Sequence, residues 1–339
     1  MIRALLTLVS LFALVGCDER AAVAVAQAQQ AAPTAVAKLE LVAPDLWVIG
    51  GRLEAKLKLT APAEGAIIPG WQVTPAGFTV DGKPLASHGE LPEIKVGANQ
   101  VYETSVDLGH ALKVSADFEL GYGDQKALVR VLEPAPPGLD FMDEAKMPVA
   151  ELEKYWVVLD TVRGTMVVEY FPALAQNHVR NHLDLSYTGF YNGTIFHRVG
   201  AGFMIQGGDP TGTGTGNNPK RPSLKAEFTR YKKHEKGILS MARSPHPDSA
   251  SCQFFIMHGA APFLDGKYSI FGNLVRGFAT LDAIVRSPGQ AGPDGTIRPK
   301  EQQVIVKATV VKIPANPDDW RQGPDGKPLP KPAPGTPAK

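Results

Sequence analysis

The sequence is poor in cysteine, in excess charge and in long apolar runs, and each scarcity removes a class of protein. Only two cysteines occur in 339 residues, Cys17 and Cys252, so no disulfide framework holds the chain together. Lysine plus arginine numbers 35 against 34 for aspartate plus glutamate, which leaves no polyelectrolyte signal and argues against a nucleic-acid partner. After residue 16 no apolar segment is long enough to cross a bilayer as a helix. Cys252 directly precedes Gln253 with no base evident beside it, and so reads as a small packing residue rather than a nucleophile. The run Thr211–Gly216 is glycine-rich but is followed by neither Lys-Ser/Thr nor a helix onset, so it is not a phosphate loop. His178 and His182 are four apart on one predicted helix face, the spacing of a metal chelate. No third ligand is in view, and no metal is assigned.

What is present is turn-rich. With 34 glycines and 29 prolines, the chain favours short strands over helical bundles. Residues 1–17 pair Arg3 with a short apolar run and end Leu14-Val15-Gly16-Cys17. That ending resembles the bacterial lipobox, which implies cleavage before Cys17 and its lipidation. The chain would then be anchored on the periplasmic side of a bacterial cell envelope, with inner or outer membrane left open. A plain signal peptide is the alternative. Residues 18–38, mostly Ala, Val and Gln, read as a flexible tether. Between 39 and 134 the pattern is β: Leu53, Ala55, Leu57 and Leu59 alternate with Arg52, Glu54, Lys56 and Lys58. Six or seven short strands in this span suggest an immunoglobulin-like sandwich, either a spacer or a module for a protein partner. Residues 135–154 read as a linker, 155–313 as a second domain, and 314–339, with eight prolines, as a disordered tail.

The second domain is organised around Phe196–Asp209. Here Arg198 stands with Phe203, Met204 and Gln206, and no carboxylate lies between Thr194 and Gly208. A guanidinium among apolar side chains is costly unless its five donors are satisfied. Either it lies over the surface of a hairpin or it faces a ligand. Two further segments bear on the choice: Gly237–Arg243 running on to Asp248–Ile256, and Phe263–Gly272. Together the three resemble the cyclophilin family of peptidyl-prolyl isomerases over about Tyr155–Ile313, in the family's order and spacing. Arg243 and Asp248-Ser249-Ala250 look more like bacterial members. The resemblance implies a mainly β chain, with a closed eight-stranded barrel capped by two helices, over 173–187 and around 279–284.

It also implies roles. Prolyl isomerisation faces a barrier of about 20 kcal/mol from amide resonance, and lowering it needs no nucleophile, metal or cofactor, only a site that favours the twisted amide. Arg198 matches the family's catalytic arginine and Gln206 the residue that orients it. Phe203, Met204, Phe255 and Leu264 match the proline socket, with Phe263 where many members carry tryptophan and Tyr268 in place of a histidine. Ala242, Arg243 and Gln253 match substrate-contacting positions. The implied substrates are proline-containing unfolded or flexible polypeptides. A groove that binds clients without turnover is the alternative. Gly200-Ala201 replaces an apolar-Pro pair and predicts a looser turn. Gly323-Pro324 in the tail suits occupation of the site in cis.

Overall fold

The computed structural model of the chain describes residues 38–63, 65–68, 77–85, 94–292 and 294–328. The leader, Cys17 and nearly all of the tether lie outside them. The chain forms two compact units that divide between Leu132 and Glu133.

The first unit contains β1 (Lys38–Val42), β2 (Leu46–Val48), β3 (Glu54–Thr60), β4 (Ala66–Ile68) and β5 (Thr79–Val80). It continues with β6 (Lys83–Pro84), β7 (Ile94–Val96), β8 (Val101–Asp107), β9 (Phe118–Tyr122) and β10 (Gln125–Leu132). The sheet orders are β1-β3-β8, β2-β10-β9-β5-β6 and a separate pair β4-β7. Alternation places Ala55, Leu57 and Leu59 of β3 inward and Glu54, Lys56 and Lys58 outward. Those inward residues meet Phe118 and Leu120 of β9 and Val129 of β10 in one core, so the two larger sheets share a single apolar layer.

The second unit contains α1 (Val149–Leu152), β11 (Tyr155–Thr161), β12 (Gly164–Tyr170), α2 (Pro172–Tyr187), β13 (Arg198–Gly200), β14 (Met204–Gly207) and β15 (Ile238–Met241). Then come β16 (Phe254–Met257), β17 (Ile270–Arg276), α3 (Phe278–Val285), β18 (Gly289–Ala291), β19 (Ile297–Pro299) and β20 (Ile305–Lys312). Proline at its first position starts α2, and Gly189, with φ of +75°, supplies the left-handed residue that ends it. Both helices fall where the resemblance predicts them.

One ladder runs β18-β19-β13-β14-β16-β15-β17-β12-β11-β20. It therefore holds ten strands, and its end strands β18 and β20 do not pair with each other, where the resemblance implies eight in a closed circuit. The β18–β19 hairpin is added beyond β13. The chain turns at Gly193, φ +79°, and the segment before β13 meets the chain near β20 at an isolated bridge, Ile195 to Val304, rather than along a regular ladder. The Phe196 N–H to Gln303 carbonyl and Ile305 N–H to Thr194 carbonyl bonds flank it.

Two expectations from composition are corrected. Residues 135–154 are part of the second unit: Phe141 is fully buried, edge-on to Tyr155 and Tyr187, and the Ala135 N–H donates to the Val310 carbonyl. Of the tail, Pro314–Pro328 is described, and it too is held. Trp320 is 4% exposed, Arg321 pairs with Glu169 at 2.7 Å, and the Gln322 N–H donates to the Val275 carbonyl at 2.7 Å. Gly323-Pro324 thus lies in a turn docked on β17, and among the described tail residues none lines the groove described next. In the first stretch Phe141, Met147 and Leu152 are buried in the core of the second unit, and in the second Trp320 is buried, among prolines and charges that conceal them.

Candidate active site

Antiparallel pairing builds the site. Arg198 on β13 is in register with Gln206 on β14, Gln206 with Phe255 on β16, and Phe255 with Ser240 on β15. Residues directly opposite share a face, so Arg198, Gln206 and Phe255 form a row across the sheet. Met204, two residues before Gln206, joins the same face. The turn Pro262–Leu264 brings Leu264, and Tyr268 follows it. The result is a groove of about 670 Å³ lined by Arg198, Phe203, Met204, Gln206, Ala242, Arg243, Phe255, Phe263, Leu264 and Tyr268. All ten of these sequence-predicted residues therefore meet. The eleventh, Gln253, lies behind them and accepts a hydrogen bond from Gln206 Nε2 at 2.9 Å.

Its floor is apolar and close-packed. Met204, Phe255, Leu264 and Ile270 belong to one buried cluster, with Phe203, Ala242 and Tyr268 packed against it. Phe255 and Tyr268 meet edge to face at 5.8 Å. Phe263 is different: it is 62% exposed and stands at the rim against Phe203, 5.7 Å between ring centres. Beneath Phe255 lies His234, fully enclosed, with Asp265 at 3.0 Å from Nδ1 and Ser240 at 3.2 Å from Nε2. Burial pushes its pKa down, against the opposing pull of Asp265. The pair ties the Pro262–Leu264 turn to the sheet.

The guanidinium of Arg198 is held from two sides. Its Nη1 donates to Gln206 Oε1 at 2.9 Å. Its Nε and Nη2 both donate to Asp294 Oδ2, at 2.9 and 2.6 Å. Reading the stretch 194–208 alone left this arginine without a carboxylate; the partner comes from 96 positions away. Asp294 sits between β18 and β19, and the pairing of Val199 with Ile297 sets that hairpin beside Arg198. The Thr296 hydroxyl above all, together with the Arg198 guanidinium, holds the Asp294 carboxyl down at about 2.

Behind the groove, Gln253 Nε2 donates to the carbonyls of Gly214 and Gly216, at 3.0 and 2.8 Å. The glycine-rich loop therefore braces Gln253. It also wraps a carboxylate of its own chain: Asp209 accepts from the N–H groups of Thr211, Gly214 and Gly216 at 2.7, 2.6 and 3.1 Å. Desolvation raises the Asp209 pKa, but these bonds and the Thr211 hydroxyl outweigh it and set the value at about 2.

Three sequence readings change in detail. The β13–β14 turn, expected to be loose without proline, is fastened: His258 Nδ1 accepts the Gly202 N–H at 2.8 Å, and the Phe203 carbonyl accepts the N–H groups of His258 and Gly259. Any Cβ at Gly259 would lie 2.2 Å from the Gly202 carbonyl oxygen, so only glycine permits this approach. Arg243 is engaged as a brace, donating to the carbonyls of Lys267, Ser244 and Pro245 and lying 4.6 Å over Tyr268. The backbone N–H of Ala242 is taken by the Gln253 carbonyl at 2.9 Å. His178 Nδ1 is 2.6 Å from Glu227, and His182 Nδ1 is 2.7 Å from the Tyr170 hydroxyl. Asp294, Thr296 and His197 are groove-lining residues that sequence reasoning missed. Only His197, beside Arg198, carried a local signal.

The family model for cyclophilin type peptidyl-prolyl cis-trans isomerase/CLD matches residues 156–310, the span that builds this groove. Peptidyl-prolyl cis-trans isomerase-like 3 of Homo sapiens is 39% identical over 156 residues, which is 45% of this chain and 94% of that protein. Peptidyl-prolyl cis-trans isomerase-like 1 of Neurospora crassa is 38% identical over 158 residues, covering 46% and 94%. A crystal structure of a Cryptosporidium parvum cyclophilin type peptidyl-prolyl cis-trans isomerase, in the presence of the dipeptide Ala-Pro, has 35% identity, coverage of 46% and 98%, and a TM-score of 0.43. Since nearly the whole of the human relative is matched at this identity, the chain belongs, through its second unit, to the cyclophilin-type peptidyl-prolyl cis-trans isomerases.

Proposed function

We propose that the isomerase acts on X-Pro bonds of unfolded or flexible polypeptides outside the cytoplasm, and that Arg198 carries the catalysis. One observation supports this most: a guanidinium oriented by Gln206 at the edge of an apolar socket formed by Phe203, Met204, Phe255 and Leu264. When a prolyl amide twists, its nitrogen loses resonance and gains a lone pair. A donor aimed at that lone pair is stronger in the transition state than in either planar isomer, which is what lowers a barrier. The socket holds the pyrrolidine ring so that rotation occurs against a fixed donor. Gln253 contributes by steadying Gln206, and Ala242, Arg243, Phe263 and Tyr268 shape the groove where residues flanking the proline lie.

The remaining features complete the reading. Thr194–Phe196, bridging toward Val304, serves as the seam of an eight-strand barrel, with β18 and β19 as an appendage. The first unit, two sheets over one core, is an immunoglobulin-like sandwich that spaces the isomerase or binds a protein partner. The Leu-Val-Gly-Cys sequence at 14–17 supports a lipid anchor at Cys17, of bacterial type. A mature mass that begins at Cys17 and carries acyl chains tests it.

The catalytic reading is tested by exchange NMR on an Ala-Pro peptide, comparing the wild-type chain with Arg198→Ala. Removing a transition-state donor is expected to slow isomerisation by about 10²–10³-fold while both proteins remain folded. Peptide binding by both without exchange by either would make the groove a holder of clients.

A further inference from the structure

We propose that Asp294 is a positioning residue of the isomerase, fixing one edge of the Arg198 guanidinium so that its remaining N–H groups face the socket. This rests on the catalytic reading of Arg198 and deepens it.

The argument begins with donor arithmetic. A guanidinium has five N–H groups in one plane. Nε–H and one Nη2–H go to Asp294 Oδ2, and one Nη1–H goes to Gln206 Oε1. Two remain, one on each terminal nitrogen. A glutamine alone, bonded to one nitrogen, would leave the plane free to swing about that bond. The second anchor, on the opposite edge, removes the swing. Two anchors in one plane define where the unused donors point.

The carboxylate is itself immobilised. Its other oxygen, Oδ1, accepts the Thr296 N–H at 3.1 Å and the Thr296 hydroxyl at 2.6 Å. One oxygen thus serves the hairpin and the other serves Arg198. The hairpin is fixed in turn by the Val199–Ile297 pairing beside the arginine, and Asp294, Thr296 and Ile297 all line the groove. Stability does not account for the arrangement. The pair is part-exposed, 35% and 44% by side chain, and exposed ion pairs contribute little to folding. What it supplies is direction, and catalysis is sensitive to misplacement of a donor by as little as about 1 Å.

The full chain is tested as wild type, Asp294→Ala, Asp294→Asn and Thr296→Val, with and without Arg198→Ala. Exchange rates on an Ala-Pro peptide are measured alongside peptide affinity from chemical-shift titration. Asp294→Ala is expected to lower the exchange rate on the order of tenfold with peptide affinity unchanged. Asn, which keeps a neutral acceptor, should recover part of the loss. Thr296→Val leaves the carboxylate but frees it, and should lose less than Asp294→Ala. In the Arg198→Ala background, removing Asp294 should change nothing further, because its effect passes through the arginine. An unchanged or faster rate in Asp294→Ala, a parallel loss of affinity, or an equal loss in the Arg198→Ala background would overturn the proposal. A wild-type chain that catalyses no exchange would instead sink the reading beneath it, so the two failures are distinguishable.

Discussion

On β3 of the first unit, Ala55, Leu57 and Leu59 are buried while Glu54, Lys56 and Lys58 face water. On the strands of the second unit that carry the groove the rule is different: all of Phe254–Met257 is buried, as is Ser240 between Leu239 and Met241. The contrast extends through the molecule. Among the described residues, every buried polar or charged side chain, from His178 to Gln303, belongs to the second unit. Burying such groups is unfavourable unless each finds a partner, and the first unit avoids the problem by keeping its interior apolar. Its interior therefore organises a fold, and anything it recognises meets its surface. The second unit accepts the cost over a large network, and where that network reaches the surface there is a groove. Buried polar groups mark the unit that does chemistry.

The largest expected effects test whether the two interiors are separate. Phe141→Ala, in the stretch that composition suggested was a linker, is expected to destabilise the second unit by about 3–5 kcal/mol, because its ring fills a fully buried place against Tyr155 and Tyr187. Leu57→Ala is expected to cost the first unit about 2–5 kcal/mol and to leave isomerisation by the folded protein unchanged. Urea unfolding followed by tryptophan fluorescence and by exchange activity would read both. If Leu57→Ala reduces the isomerase rate in proportion to its effect on stability, the separation fails.

A smaller effect sharpens the contrast in polar burial. His182 lies among Tyr191, Phe254 and Phe271, and burial pushes its pKa down to about 3. The ring is thus neutral in the folded protein over a range where an unfolded chain, with a pKa near 6.5, is protonated. Its contribution to stability is complete above about pH 6.5 and is lost as pH falls toward 3, at up to about 1.4 kcal/mol per pH unit. His182→Phe should flatten that slope. It should also cost about 1–3 kcal/mol at pH 7, since the Tyr170 hydroxyl loses its partner. Urea midpoints at pH 7.5 and 5 for both proteins check it; an unaltered slope would mean that other buried histidines, His197 or His234, set the acid limb.

What the sequence disclosed follows the range over which residues act. Alternation at Leu53–Leu59 identified β3, because strand pattern is written in neighbouring positions, and the resemblance of three motifs to the cyclophilin family pointed to ten residues that line one groove. Phe141 and Trp320 were hidden: each stands within a stretch of proline and charge, and the few buried residues there, Phe141, Met147 and Leu152 in one and Trp320 in the other, are too irregularly spaced to leave a period. Asp294 was hidden for another reason. A Pro-Asp-Gly sequence announces a turn, but which side chain the turn meets depends on the pairing of β19 with β13, a fact of topology. The His258 bond that fastens the Gly202 turn is of the same kind. Local pattern and family motifs could be read; partners brought by the ladder could not.

The bonds behind the groove have one further property, which is their sense. Arg198 donates to Gln206, Gln206 to Gln253, Gln253 to the loop carbonyls at 214 and 216, and the loop amides to Asp209. Every link points the same way, from a cation at one end to an anion at the other. Such a chain has polarity, and aligned links reinforce one another. Turning over either glutamine amide would set donor against donor at one joint and acceptor against acceptor at the other, so neither can be reversed alone. The arginine at one end, which can only donate, and the loop carbonyls at the other, which can only accept, together leave a single sense in which both amides fit, with Gln206 Oε1 presented to the arginine.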